Sequence, residues 1–277
     1  MEGWNLDHGA EIAEGRTVVE LVRVGKRYEV YLVWDERRYA LAIAKVLRPD
    51  KLANDRARRR MRDEDALLAR LAHPAIVRSF GGEAESEYPH LLLEHVEAPS
   101  LRGLVRAHGS LPPEQIVPLG LQTAAALHYL ARERIVHLDV KPSNVLMSAP
   151  PRLIDFGGAR ATDAVPQLRR PVGTALYMAP EVCGLPETAD RIGPAADVWS
   201  LGATLYYGLA GTPPFERGAR DSDDLRLRFP QLVDAPPSLG RSVPPALERI
   251  VRAMLARDPP ARPTAAEVAD ELSELLD

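Results

Sequence analysis

The chain has 277 residues, a formal net charge of −4 and a pI near 6.0, and hydrophobic residues make up 45% of it. This length is sufficient for a sizeable core in two lobes, and the charge gives no bulk electrostatic case for a nucleic acid or an anionic membrane as partner. The single cysteine, Cys183, excludes an intramolecular disulfide and favours a cytoplasmic protein. No apolar run approaches the roughly 20 residues of a membrane span, so we predict none.

Strands are predicted in the first third of the chain. Runs of β-branched and aromatic residues separated by turn signals predict strands at 17–24, 30–34 and 39–47. A charged, amphipathic helix is predicted over 55–71, because apolar residues recur there at helical spacing. The apolar run 90–96 has the length of a further strand.

Helices are predicted in the rest of the chain, where apolar residues recur with a period near 3.6. In the last helix, Thr264 and Glu267 form a plausible capping box. Because strands come first and helices later, the class is α+β, with a small β-rich lobe and a larger helical lobe that join near residues 96–100. The predicted helices are 112–133, 195–209, 246–255 and 265–276.

Two short segments carry the chemistry. Residues 137–144 read H-L-D-V-K-P-S-N, and Asp155 begins the tripeptide D-F-G. Transfer of a γ-phosphoryl group needs a carboxylate to receive the substrate hydroxyl, a cation on the moving phosphate and oxygen ligands for magnesium. Asp139, Lys141, Asn144 and Asp155 supply these groups in that order.

The two segments resemble the catalytic loop H-R-D-x-x-x-x-N and the metal-binding loop D-F-G of eukaryotic-type protein kinases. The resemblance covers residues from about Thr17 to Leu276 and is strongest to the bacterial serine/threonine (Hanks-type) kinases. It implies one bilobal protein kinase domain over residues 1–277. The implied parts are an N-terminal extension at 1–16, a β-rich N-lobe with one main helix at 17–96, and a mostly α-helical C-lobe at 97–277.

The resemblance also implies the catalytic roles. Asp139 is expected to orient the substrate hydroxyl and accept its proton, while Lys141 holds the γ-phosphate. Thr174 is expected to hydrogen-bond to both of them. Asn144 and Asp155 are the expected ligands of Mg²⁺, with Mn²⁺ as an alternative. A lysine two residues after the catalytic aspartate is typical of the serine/threonine-specific members of the family.

Lys45 lies in a strand similar to the V-A-I-K strand whose lysine pairs with the α/β-phosphates of ATP, and Glu64 is its expected partner. Taken alone, an ordinary strand lysine and a solvated helix carboxylate remain alternatives for these two residues. The remaining residues implied to contact ATP are Gly25 and Val30 of the phosphate loop, Ile43 above the adenine, Leu93 behind it, Glu94 and Val96 of the hinge, and Leu146 below it.

Other residues implied by the resemblance form the scaffold of the C-lobe. Glu181, in the segment A-P-E, is expected to form a buried ion pair with Arg262. Asp197 is expected to brace the catalytic loop. We predict that removal of one partner of the buried pair is strongly destabilising.

The chain departs from the family pattern in the phosphate loop. The pattern G-x-G-x-x-G-x-V aligns with residues 23–30, where only Gly25 remains. Tyr28 replaces the last glycine, and Ile43 replaces a small alanine, so we predict weakened ATP binding. Phosphate contacts from Lys26 and Arg27 would compensate, and a solvated basic turn is the alternative.

A second departure is Leu138, which replaces the arginine that meets an activation-loop phosphate in the family. Only one hydroxyl residue, Thr162, lies between Gly158 and Val172. We therefore expect little dependence of activity on phosphorylation of Thr162.

The leading hypothesis is an ATP- and magnesium-dependent protein serine/threonine kinase that acts on protein substrates in bacterial signalling. The alternative is a pseudokinase scaffold, which the degenerate phosphate loop favours and the complete set of catalytic residues opposes. A small-molecule kinase is a third hypothesis, against which the A-P-E segment and Thr174 argue. The substrate and the oligomeric state are not specified by the sequence.

Overall fold

The computed structural model describes residues 3–276. The described residues divide into two compact units, and the chain passes from the first to the second between Glu97 and Ala98. The first unit comprises the residues up to Ala72 together with Ile76–Glu97, while His73–Ala75 belong to the second. The join between the two lobes was predicted from the sequence near residues 96–100.

The first unit contains a six-stranded antiparallel sheet with the strand order β1-β2-β3-β4-β6-β5. One α-helix, α1, packs against β5 and β6, and the side chain of Asn54 caps its first turn by accepting the Ala57 N–H at 3.1 Å. The elements are β1 (Glu11–Ala13), β2 (Arg16–Val24), β3 (Tyr28–Asp35), β4 (Ala40–Leu47), α1 (Asp55–Leu68), β5 (Ser79–Glu83) and β6 (His90–Glu94).

The two faces of this sheet differ in what covers them. Alternate side chains of β3 and β4 form an apolar core on one face, and the residues between them point to the opposite face. Lys45 lies on that opposite face. The core comprises Ile12, Val18, Tyr31, Val33, Ala42, Ala44, Val46 and Leu92, with Trp4, Leu6, Ala10, Phe80 and Tyr88 packed against it.

The N-terminal segment is part of this sheet, which begins earlier than the predicted first strand at residue 17. Strand β1 pairs with β2, and Trp4 crosses the core face. The indole N–H of Trp4 donates to the Leu47 carbonyl at 2.8 Å, and its main-chain N–H donates to the buried carboxylate of Glu29 at 3.1 Å. The segment was predicted only as an extension because three residues of strand give too weak a periodic signal.

The second unit is largely helical, as predicted. Helix α5 is buried along almost its whole length, α3 packs against α5 and α8, and Thr264 and Glu267 form the predicted capping box. The elements are α2 (Leu101–His108), α3 (Pro113–Arg132), β7 (Ile135–Val136), β8 (Val145–Leu146), β9 (Arg152–Leu153), β10 (Arg160–Ala161), α4 (Pro180–Cys183), α5 (Pro194–Ala210), α6 (Leu225–Arg228), α7 (Pro245–Met254) and α8 (Ala265–Ser273).

Several elements differ from the predictions. Helix α1 ends at Leu68, and β6 ends at Glu94, each a few residues earlier than predicted. Strand β5 was not predicted because Gly81 and Gly82 lower its strand propensity, and its pairing with β6 overrides that preference. Helix α2 was not predicted because it is short and contains Gly103. Within residues 3–276, no helix is long and apolar enough to cross a membrane.

We predict that Trp4→Ala lowers the free energy of unfolding of the protein by about 2–3 kcal/mol, because it removes apolar packing and leaves the Leu47 carbonyl without its donor. Urea unfolding measures this change. Tyr39→Ala is the matched control, since Tyr39 is 83% exposed in the turn between β3 and β4. Its ring makes an edge contact with Trp34, so its loss should change stability by less than about 1 kcal/mol. Equal effects of the two substitutions would contradict the prediction.

Candidate functional site

The segment that carries Asp139 is held by a buried carboxylate on α5. The main-chain N–H groups of His137 and Leu138 donate to the two oxygens of Asp197 at 2.7 and 2.8 Å, which is the bracing contact expected of Asp197. Burial raises the pKa of Asp197 to about 7, and these two hydrogen bonds oppose the rise. Burial also lowers the pKa of His137 to about 4, so its neutral ring accepts the Asp139 N–H at 3.3 Å.

Asp139, Lys141 and Thr174 form one hydrogen-bonded cluster. The Lys141 ammonium lies 2.6 Å from Asp139 Oδ2 and 2.8 Å from the Thr174 hydroxyl, and that hydroxyl donates to Asp139 Oδ1 at 2.9 Å. Both hydrogen bonds expected of Thr174 are therefore present. Asp139 and Lys141 are only partly exposed, so they are desolvated enough to interact strongly and still reachable by a ligand.

The position of Thr174 depends on the glycine before it. Gly173 has φ +113°, and a Cβ at this position would overlap the carbonyl oxygen of Leu138. Only glycine tolerates both the conformation and the close approach. Leu138 itself has φ +62°, an unfavourable value for a leucine, and the Asp197 hydrogen bonds hold its peptide in place.

Asn144 and Asp155, the predicted metal ligands, lie on adjoining segments. The Ile154 N–H donates to the Asn144 carbonyl at 2.9 Å. The Asn144 amide nitrogen donates to the Asp139 carbonyl at 3.0 Å. This hydrogen bond fixes the orientation of the amide, whose oxygen is the atom that can bind a cation. Asp155 has φ +66° immediately before Phe156. An amide oxygen and a carboxylate suit Mg²⁺, because this ion usually has few protein ligands and its other coordination positions are filled by water and phosphate.

No group of three or more His, Cys, Asp or Glu side chains in residues 3–276 is arranged to hold a metal ion by itself.

In the first unit, Lys45 forms a buried ion pair. Its ammonium lies 2.7 Å from Glu64 Oε1, and the two residues are 7% and 3% exposed. Lys45 lies at a buried position on β4, and Glu64 lies on the buried side of α1, next to Met61 and Leu68 in the helical pattern. The structure therefore supports Glu64 as the partner of Lys45 and not the alternative of a solvated helix carboxylate.

The predicted nucleotide contacts on this face of the sheet are neighbours across strands. Val30 on β3 pairs with Lys45 on β4, and Ile43 on β4 pairs with Leu93 on β6. Cross-strand partners lie on the same face of a sheet, so these four side chains share the face opposite the apolar core. Leu93 is 5% exposed, while Val30 and Ile43 are half-buried.

The remaining predicted contacts belong to segments that the structure divides between the two units. Glu94 ends β6, and its carboxylate accepts from the Arg78 side chain at 3.2 Å. Val96 follows in the same unit. Leu146 belongs to the second unit, where it pairs with Arg152 and forms an isolated bridge to Ser100.

The predicted phosphate loop is a tight hairpin. The Gly25 N–H donates to the Tyr28 carbonyl at 2.8 Å, so only Lys26 and Arg27 form the turn between β2 and β3. Tyr28, which replaces the last glycine of the family pattern, is the first residue of β3 and is 9% exposed. Its ring centroid lies 5.1 Å from the Lys45 ammonium, a cation–π distance that the sequence did not indicate.

The expected scaffold pair is present in the second unit. Both guanidinium nitrogens of Arg262 donate to the Glu181 carboxylate, at 2.7 and 2.8 Å, and the side chains are 0% and 1% exposed. This bidentate pair connects the residues after Thr174 to the loop before α8.

Gln231 is a functional candidate that the sequence did not reveal. It is buried, and its amide nitrogen donates to the carbonyls of Ala175 and Met178 at 2.7 and 3.0 Å. It therefore braces the segment between Thr174 and Glu181. A lone glutamine in a proline-rich loop carries no sequence signal, because its contacts are with main-chain atoms more than 50 residues away.

Residues 17–272 match the family of protein kinase domains, so this chain belongs to that family. It is 33% identical over 265 residues to the serine/threonine-protein kinase PknB of Mycobacterium tuberculosis, covering 91% of this chain and 41% of the relative. It is 35% identical over 205 residues to PknB of Mycobacterium leprae, covering 71% of this chain and 32% of the relative. It is 32% identical over 254 residues to PknD of M. tuberculosis, covering 88% of this chain and 37% of the relative. The chain spans about two fifths or less of the length of these relatives.

We predict that Arg262→Met destabilises the protein by about 3–5 kcal/mol, because it leaves the Glu181 carboxylate buried without a counter-charge. The free energy of unfolding in urea is the measurement. Arg191→Met is the matched control, since Arg191 pairs with Asp258 at an exposed position and such pairs contribute about 0–1 kcal/mol. A loss below about 1 kcal/mol in Arg262→Met would contradict the assignment of a buried charge pair.

We also predict that Gln231→Met, which keeps the volume but removes the donor, costs about 1–3 kcal/mol and speeds amide hydrogen exchange in residues 173–183. Gln167→Met is the control, because Gln167 is exposed. Unchanged exchange in residues 173–183 would show that Gln231 does not hold this segment.

Proposed function

We propose that this protein is an ATP-dependent serine/threonine protein kinase that transfers the γ-phosphoryl group to hydroxyls of protein substrates in bacterial signalling. The observation that carries the proposal is the Asp139–Lys141–Thr174 cluster, with an ammonium 2.6 Å from a carboxylate that has a hydroxyl on its other oxygen. The relatives named serine/threonine-protein kinases support it. We further propose a cytoplasmic location, in keeping with the single, buried Cys183.

In this proposal, Asp139 orients the substrate serine or threonine and accepts its proton. A carboxylate has about four lone-pair sites, so Asp139 accepts a substrate hydroxyl in addition to its contacts with Lys141 and Thr174. Lys141 balances the negative charge that develops on the transferred phosphoryl group, and Thr174 holds both side chains in position.

Lys45 binds the α/β-phosphates in this proposal, and Glu64 fixes the direction of its ammonium. Val30, Ile43 and Leu93 supply apolar contacts to the base on the same face of the sheet. The hinge at Glu94 and Val96 and the apolar Leu146 complete the nucleotide contacts. Asn144 and Asp155 would hold Mg²⁺, or Mn²⁺ in its place, which would supply positive charge to neutralise the phosphates.

A pseudokinase scaffold is the second candidate, and the tight hairpin at Gly25–Tyr28 favours it. With no flexible glycine loop, main-chain N–H groups of this turn offer less to ATP phosphates. Against it, the Lys45–Glu64 pair is intact. A buried ion pair contributes little net stability, so binding of nucleotide phosphates explains this pair better than a structural role does.

The test is transfer of labelled γ-phosphate from Mg-ATP to the protein itself and to a generic basic protein. We predict that Asp139→Asn lowers transfer about 100-fold or more, because it removes the group that accepts the hydroxyl proton. Asp163→Asn is the matched control at an exposed position and should retain transfer. Label on serine or threonine that depends on Asp139 supports the kinase, whereas absence of label from folded wild-type protein favours the scaffold.

We also predict that Tyr28→Gly lowers the KM for ATP about threefold or more. The Tyr28 ring lies against the Lys45 ammonium, on which the α/β-phosphates are proposed to bind, so its removal frees that position and restores a family glycine. Steady-state kinetics with varied ATP measure the effect, and Tyr39→Gly in the exposed β3–β4 turn is the control. A higher KM for ATP in Tyr28→Gly would mean that the ring supports the nucleotide site.

A further inference from the structure

A basic cleft lies at the N-terminal end of α1, in the first unit. It has a volume of about 530 Å³, and its lining includes five cationic side chains, those of Lys26, Arg27, Lys51, Arg56 and Arg60, with the capping residue Asn54. We propose that this cleft is a binding site for a dianionic phosphoryl group, separate from the proposed nucleotide site.

The two chain segments that supply these cations are tied together. Arg48, which is 2% exposed, donates its main-chain N–H to the Arg27 carbonyl at 3.0 Å and its guanidinium to the Gly25 carbonyl at 3.3 Å. The β2–β3 hairpin is therefore fixed to the segment that leads into α1. Because the main chain is already held, little ordering of the backbone is needed when an anion binds.

The cations of the cleft exceed the carboxylates near them. Asp50 pairs with Lys51 at 2.8 Å and with Arg48 at 3.2 Å. Within residues 3–276, no carboxylate forms an ion pair with Lys26, Arg27 or Arg56. A cleft lined by charges of one sign concentrates the field and attracts the opposite charge.

The chemistry favours phosphate over other anions. A phosphoryl group carries a charge near −2 and three acceptor oxygens, which suit several cations at once, and guanidinium groups bind such oxygens in pairs. The start of the 14-residue helix α1 adds main-chain N–H groups with partial positive charge. A nucleic acid is a poor occupant, because the cleft is compact and the protein carries a net charge of −4.

The cleft shares with the predicted phosphate loop only the turn residues Lys26 and Arg27. Lys45, Glu64, Val30 and Ile43, which the proposed nucleotide site uses, are not part of its lining. It does share helix α1 with Glu64, which follows Arg60 by one turn of the helix. An anion bound in the cleft would thus contact the helix that positions the partner of Lys45.

The test uses a fluorescein-labelled phosphoserine peptide, its unphosphorylated form and inorganic phosphate, with binding followed by fluorescence anisotropy. We expect the wild-type protein to bind the phosphorylated peptide at least about tenfold more tightly than the unphosphorylated one, with an affinity that falls as salt is added. Lys26→Gln with Arg56→Gln should weaken binding about tenfold or more, because both side chains line the cleft.

Arg59→Gln with Arg70→Gln is the matched control, since it makes the same charge change at exposed positions on and just after α1. It should alter binding less than about twofold. Equal binding by the wild type and the Lys26/Arg56 variant would overturn the proposal, and so would an equal loss in the control variant.

Two further arms separate the sources of the ligand and the two sites. If inorganic phosphate displaces the peptide at concentrations similar to the Kd of the peptide, the free anion alone is enough for binding. If the peptide binds much more tightly than inorganic phosphate, the ligand is a phosphoryl group carried by a protein. Both outcomes support the site. Lys45→Met combined with Glu64→Gln should leave peptide binding unchanged, because both residues lie outside the cleft and removal of both charges leaves no unpaired carboxylate in α1 at this pair. Loss of binding in this double variant of the folded protein would place the phosphoryl group at the nucleotide site and refute a separate cleft. None of these arms requires phosphoryl transfer, so failure of the proposed kinase activity would not affect them.

Discussion

The carboxylate of Asp197 is the constraint on which the position of the segment containing Asp139 depends. It is buried on α5 and accepts the main-chain N–H groups of His137 and Leu138. A buried carboxylate without hydrogen-bond partners is unfavourable, so the burial of Asp197 on α5 and the position of residues 137 and 138 are formed together during folding. Asp139 follows directly, and its place is therefore set by a helix that is itself part of the core.

Unfavourable backbone conformations cluster around this constraint. Leu138 and Asp155 have positive φ values although neither is glycine, and Gly173 closes against the Leu138 carbonyl. Such conformations cost about 1–3 kcal/mol each and persist only where surrounding contacts determine them. As a result, the side chains of Lys141, Thr174 and Asp139 lie within hydrogen-bonding distance of one another. The two chain segments that carry them would not adopt this arrangement separately.

The first unit meets a different requirement, which is to carry a charged pair on a sheet whose other face is apolar. Alternation along β4 places Ala44 and Val46 in the core and Lys45 on the opposite face. The N-terminal segment closes the core face through Trp4 and Glu29. The proposed phosphoryl site lies at the hairpin and the start of α1, where the same sheet ends in a surplus of cations.

The sequence by itself determined the class of fold and the principal helices and strands, and it pointed to the two segments that contain Asp139, Asn144 and Asp155, because periodicity and spacing are local. Only the tertiary structure decided that β1 joins the sheet, that Tyr28 lies against Lys45, and that Gln231 holds main-chain carbonyls more than 50 residues away. These features depend on contacts between distant segments, and such contacts leave no periodic pattern along the chain.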